Sequence, residues 1–109
     1  MTSFTPAQPG GAAIVRIVRE IELKAQHEPG GLVEKFEAIA AELSLEINRM
    51  SLGKFPGCTH WHLRSPGQGG TLEATWWPAR GRLWLSVHTN REAAWQESAI
   101  SRLLLEFDA

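Results

Sequence analysis

Between Gly57 and Thr89, apolar and polar residues alternate with the two-residue period of a strand. The pattern predicts three antiparallel strands, at about residues 59–64, 71–77 and 82–89. Ser65 to Gly70 reads as a Gly-rich hairpin loop, and Pro78-Ala79-Arg80-Gly81 as a tight turn. Trp61, Leu63, Leu72, Ala74, Trp76, Leu83, Leu85 and Val87 fall on one face and predict the core. His60, His62, Arg64, Thr71, Glu73, Thr75, Trp77, Trp84, Ser86 and His88 fall on the other. A register centred on both turns sets His62 opposite Glu73 and Glu73 opposite Ser86. It also sets Arg64 opposite Thr71, and Thr71 opposite His88. A one-residue slip is excluded because it swaps the faces; a two-residue slip is not.

Residues 12–26 fit two periods. Ile14, Ile17, Val18, Ile21 and Ala25 share a helical face, whereas Glu20 to Lys24 alternate strictly. The β-branched content of Ile14, Val15, Ile17, Val18 and Ile21 favours the strand. His27 to Gly31 reads as a turn. Leu32, Phe36, Ile39, Ala40, Leu43 and Ile47 then recur at helical spacing, so an amphipathic helix starts at about Leu32. Its end is open: Ser44 to Met50 either continues it or forms a short strand with Leu43, Leu45 and Ile47 on one side. Residues 51–57 form a loop. Thr89 and Glu92 have the spacing of a capping box, which predicts a last helix from there to about Glu106. Ala93, Ile100, Leu103, Leu104 and Phe107 share its inner face, and Trp95 lies off it, facing a partner or a sheet edge.

The expected fold is α+β, a two-layer sandwich with a mostly antiparallel sheet of about four strands and two helices on one face. The order is β-α-β-β-β-α, or α-α-β-β-β-α if residues 12–26 are helical. Residues 1–11 read as a flexible tail and 12–109 as a single domain.

Composition narrows the partners. A net charge of -1 and no basic block argue against nucleic-acid binding, which needs a concentrated positive face, so no nucleic-acid partner is expected. Apolar content of 43% and charged content of 21% are ordinary for a globular protein. No signal peptide or membrane-length apolar run is present, and the single cysteine excludes an internal disulfide, so a cytoplasmic location and no membrane association are expected. Cys58 has no CxxC partner and reads as a semi-buried structural thiol. The run Gly67-Gln68-Gly69-Gly70 lacks the lysine and the helix N-terminus of a phosphate loop.

The polar sheet face carries the candidate chemistry. His60-Trp61-His62 places two imidazoles on it, about 6 to 7 Å apart along the strand. With Glu73 and His88 they have the residue types of a zinc or iron shell, or of an acid/base pair near neutral pH. The plainer alternative is a solvated face with a cross-strand pair between Glu73 and His62 or Arg64. Trp77 and Trp84 are large aromatics on this otherwise polar face. Either they lie over Arg82 and Arg64 stems, or a partner or ligand covers them. The expectation is a non-enzymatic binding or regulatory domain, forming a homodimer and taking a small ligand at His60, His62, Arg64, Glu73, Trp77, Trp84 and His88, with no cofactor. The alternative is a small metal-dependent or acid/base enzyme centred on His60, His62, Glu73 and His88.

Ile21 to Leu32, with the Pro29-Gly30 turn, the helix through Phe36, Ile39 and Leu43, and Leu45-Glu46-Ile47, resembles the first half of an ACT domain. The resemblance implies a ferredoxin-like two-layer fold and an amino-acid-binding regulatory dimer, with Gly30, His27 and Glu28 at the ligand loop. Glu20-Ile21-Glu22-Leu23-Lys24 is similar to the E-x-E-x-K pattern of CYTH triphosphatases, but this chain is too short and too neutral for their basic tunnel.

Overall fold

Alternation of side chains on a pleated backbone dictates the layering, because each strand must bury one row of side chains and leave the other out. The computed structural model describes residues 17–25 and 30–107. Its strands are β1 (Ile17–Leu23), β2 (Glu46–Met50), β3 (Thr59–Arg64), β4 (Leu72–Trp77) and β5 (Arg82–His88). Helix α1 (Leu32–Glu42) comes after β1, and α2 (Trp95–Glu106) after β5. The strands form one sheet in the order β1-β5-β4-β3-β2, with every neighbouring pair antiparallel. The strands flanking α1 therefore lie at opposite edges, and β2 to β5 form a meander between them. The expected tail over residues 1–11, and His27 and Glu28 of the expected ligand loop, lie outside the described residues.

The α+β class holds, but the sheet has five strands instead of about four. The extra strand is β2, in the stretch whose pattern fits both helix and strand. The helix stops because Ser44 takes a left-handed conformation (φ 61). The Leu45 amide then donates to the Ala40 carbonyl (3.0 Å) and the Ser44 amide to Ala41 (2.9 Å), the paired bonds of a Schellman end. Glycine is the usual residue at that position, so Ser44 gave no stop signal.

The buried face is the one the alternation predicts. Trp61, Leu63, Leu72, Ala74, Leu83 and Leu85 are fully buried, and they form one core with Leu32, Phe36, Ile39 and Ala40 of α1. Ala99, Ile100 and Leu103 of α2 and the adjoining Phe107 complete it. Both helices thus cover the same sheet face. Leu104, expected inside, is 39% exposed; Gln96 and Ala99 take the inner positions instead.

Trp61 anchors this layer. Its ring stacks on Phe36 with centroids 4.2 Å apart. Its Nε1–H donates to Glu37 Oε2 at 2.8 Å, and Arg49 of β2 donates twice to the same carboxylate, at 2.7 and 2.9 Å. One glutamate on α1 thereby joins the helix to the floor and edge of the sheet.

The start of α2 differs from the expected capping box. Thr89 and Asn90 form a turn, Asn90 with φ 65, and the helix begins at Trp95 with no side-chain cap. The buried Gln96 side chain ties this connection together instead. Its Nε2 donates to the carbonyls of Arg91 (2.7 Å) and Thr71 (3.0 Å), and its Oε1 accepts from the Ala93 amide (3.1 Å). Gly70 (φ 92) lets this connection close, because a Cβ there would stand 2.6 Å from Ala93 Cβ and 2.9 Å from the Arg91 carbonyl. Trp95 Nε1–H donates to the Gly69 carbonyl at 2.7 Å and pins the β3–β4 hairpin loop.

Gln96→Leu takes the side-chain partner from the Ala93 amide and the Thr71 carbonyl, while the Arg91 carbonyl keeps the Thr71 amide at 3.0 Å; it should lower unfolding free energy by about 1–3 kcal/mol in urea titrations. Glu37→Leu leaves the Trp61 N–H without an acceptor and should cost a similar amount, about 1–3 kcal/mol, whereas Glu37→Gln keeps an acceptor and loses only the charge pair, under about 1 kcal/mol. The Arg49 hydrogen bonds hold the Glu37 carboxyl below its ordinary range, burial opposing them and the Trp61 bond adding to them. A depressed folded pKa means stability present above the ordinary carboxylate value and lost as pH falls through the folded one. The gap between wild type and Glu37→Gln should therefore close on acidification; a gap independent of pH contradicts the assignment.

Candidate functional site

On the face opposite the helices, β3 and β4 run side by side in the register read from the turns: His62 faces Glu73, and Glu73 faces Ser86. His60 faces Thr75, one diagonal step from Glu73. Burying Trp61 on the core side forces His60 and His62 to point to this side together.

Glu73 is the hub. His60 Nε2 lies 3.1 Å from its Oε1, and His62 Nε2 lies 3.6 Å from the same oxygen. His88 Nδ1 stands 2.9 Å from the other oxygen, Oε2. That contact is close but poorly directed, and His88 Nδ1 is a buried nitrogen without a hydrogen-bond partner. The oxygen lies close to the ring nitrogen but off its hydrogen-bonding axis. The second nitrogen of His60, Nδ1, meets Thr75 Oγ1 at 2.8 Å. His60 is buried, and Glu73, His62 and His88 are partly so.

The charges reflect this crowding. Burial alone would raise the Glu73 pKa, but the His60 hydrogen bond and the fields of His62, His88 and His60 outweigh it, so the carboxyl is held below its ordinary value. His62 is pushed the other way by burial, which favours the neutral ring; Glu73 resists, while His60, Arg91 and Arg64 add to the drop. The site is thus a carboxylate ringed by imidazoles.

Loop 51–58 covers the part of this face that carries Trp77 and Trp84. Phe55 packs against both candidate tryptophans, 5.0 Å from the Trp77 ring and edge-on to Trp84 at 5.3 Å. Trp77 Nε1–H donates to the Pro56 carbonyl at 3.1 Å. The Arg82 guanidinium lies over Trp84, 4.2 Å from its ring centre, which is the arginine-stem alternative for this ring. Trp84 is buried under this cover from the same chain, whereas Trp77 stays partly exposed. Phe55 and Leu52 gave no signal in the sequence because loop residues carry no period. Cys58 closes this loop as a buried thiol, its Sγ 3.9 Å from the Leu52 carbonyl.

Between loop and sheet lies a cleft of about 150 Å³. Ile17, Leu52, Phe55 and Trp84 line its apolar side, His60, Glu73, Thr75 and His88 its polar side, and Glu20, Lys54 and Arg82 complete the lining. His62, Trp77 and Arg64 are not part of it. Arg64 is exposed and lines, with Glu46, Asn48 and His62, a separate groove of about 390 Å³ along the β2 edge. Six of the seven expected site residues therefore cluster around Glu73 and the loop, and Arg64 stands apart.

Phe55→Ala should uncover Trp84. Phe55 is only partly buried, so the stability cost should be about 1–2 kcal/mol, below the roughly 3–5 of a fully buried Phe. Acrylamide quenching of tryptophan fluorescence should rise; unchanged quenching would show that the loop does not shield the ring.

No family model, no curated protein and no solved structure matches the chain.

Proposed function

We propose that this protein is a small non-enzymatic binding or regulatory domain that takes a small, planar, polar ligand in the cleft between loop 51–58 and the Glu73 face. One observation carries the reading: apolar walls from Phe55, Trp84 and Leu52 meet converging polar groups from Glu73, His60, Thr75 and His88 in a single cleft. Aromatic walls supply contact area for a flat molecule, and the carboxylate and imidazoles fix its orientation. At about 150 Å³ the cleft is smaller than the roughly 300 Å³ at which sites for drug-sized molecules begin. The ligand is accordingly a small molecule such as a heterocycle, amide or amino acid. The ACT-like reading of the N-terminal half favours the same class.

A panel of small heterocycles, amides and amino acids, screened by ligand-observed NMR with a chelator present, tests the reading. At least one should bind, and Phe55→Ala and Glu73→Gln should each weaken it about tenfold or more, as expected for losing about 1.4 kcal/mol of contact. A panel without a hit, or a hit insensitive to both variants, defeats the proposal. The convergence of three imidazoles on Glu73 also favours the second reading, an acid/base or metal-dependent enzyme. A ligand recovered unchanged after incubation supports binding; a converted one supports the enzyme.

Homodimerisation is a separate proposal, supported by the place of β1 at the sheet edge among the described residues, where Ile17 and Val18 are 49% and 48% exposed. Light scattering should give a dimer that Val18→Lys dissociates; a monomer at high micromolar concentration rejects it. Among the described residues no helix is long and apolar enough to cross a membrane.

A further inference from the structure

We propose that His60, His62 and Glu73 form a site for one divalent transition-metal ion of the zinc class. The inference rests on reading the Glu73 face as a binding face, and it names a ligand for that face that is separate from the organic one.

The geometry comes from the sheet. His60 and His62, two residues apart on β3, share a face, and Glu73 stands directly across from His62. One donor atom from each of the three lies within 4.8 Å of the other two. Zinc binds imidazole nitrogen and carboxylate oxygen at about 2.0–2.2 Å, so tetrahedral ligand atoms sit about 3.4 Å from one another. The Oε1 separations of 3.1 Å to His60 Nε2 and 3.6 Å to His62 Nε2 bracket that value. Two imidazoles and one carboxylate form a donor set suited to zinc and its neighbours.

The surroundings are those of a built site. A metal-ligating imidazole normally has its other nitrogen held by an oxygen, which fixes the ring. Thr75 Oγ1 does this for His60 Nδ1 at 2.8 Å. His88 was expected as a fourth ligand. It stands instead against Glu73 Oε2, away from the three converging atoms, and so positions the carboxylate. Its buried Nδ1 has no directed partner, so the cluster is incomplete as a closed hydrogen-bond network. His60 Nε2 lies within hydrogen-bond reach of Glu73 Oε1. A cation bound at Nε2 takes that lone pair, a neutral ring then carries its single proton on Nδ1 facing Thr75 Oγ1, and only a ring protonated beforehand gives up a proton to solvent. The His62 side chain is 32% exposed, so the site opens to solvent on that side, where water completes the coordination.

The test uses the full chain, stripped with chelator, then titrated with zinc chloride by calorimetry and with cobalt(II) by visible absorption. The expected result is one equivalent bound and the intense absorption of four- or five-coordinate cobalt. His60 is buried and its replacement risks unfolding the sheet, so the diagnostic variants are His62→Ala and Glu73→Gln, checked for folding by circular dichroism. Each should weaken zinc at least tenfold and abolish the cobalt spectrum. Thr75→Val should weaken it by about ten- to a hundredfold, the usual cost of losing an orienting partner. No stoichiometric metal, or zinc binding unchanged in folded His62→Ala, overturns the proposal. Because the ligand panel is run with chelator present, a hit there without metal binding defeats this inference alone. Metal binding without a hit defeats the organic-ligand reading alone.

Discussion

The position of Trp61 decides what the other face of the sheet can be. Its ring is fully buried, stacked on Phe36, and its one polar atom is satisfied by Glu37. A residue held this firmly fixes the parity of β3, because neighbours on a strand point to opposite faces. His60 and His62 are therefore driven out together, and the β3–β4 register sets Glu73 against them. The polar cluster is a consequence of core packing on the other side of the same backbone. Arg49 ties β2 to the same glutamate, so the edge strand beside the histidines depends on this anchor as well.

Period made most of the sheet legible in the sequence. From β3 to β5 each strand alternates a large apolar row with a polar row, which excludes a one-residue slip, and a register centred on the turns is the one the structure shows. The faces and the pairs His62–Glu73 and Glu73–Ser86 came through as read. The illegible features depend on single conformations or on distant partners. Ser44 ends α1 in a left-handed conformation more often taken by glycine, so β2 was left undecided. Thr89 and Glu92 have the spacing of a cap, but the long amide of Gln96 reaches the Thr71 and Arg91 carbonyls, a solution with no local pattern. Phe55 was invisible as a site residue because only the fold brings its loop over Trp77 and Trp84.

That loop changes what the tryptophans mean. On sequence alone, two indoles on a polar face call for cover, from arginine stems of the same chain or from a partner or ligand. The chain meets the demand itself with Phe55, with Pro56 accepting the Trp77 N–H and with Arg82 lying on Trp84. The consequence is a floor and a wall in place of an open sheet. A half-open face becomes a cleft whose aromatic side is fixed and whose polar side is the Glu73 cluster.

The number of imidazoles around Glu73 exceeds what structure alone requires. A carboxylate between two strands is adequately held by one charged or hydrogen-bonded neighbour across the sheet. Here His60, His62 and His88 all approach the same group, and burial pushes His62 towards its neutral form. Neutral imidazoles have lone pairs to offer, and a carboxylate held ionised keeps its own. Serine or threonine would fill these positions at lower desolvation cost, as Thr75 and Ser86 do on the same face. Clustering the groups therefore spends stability, which is reasonable where the lone pairs they bring together have something to bind.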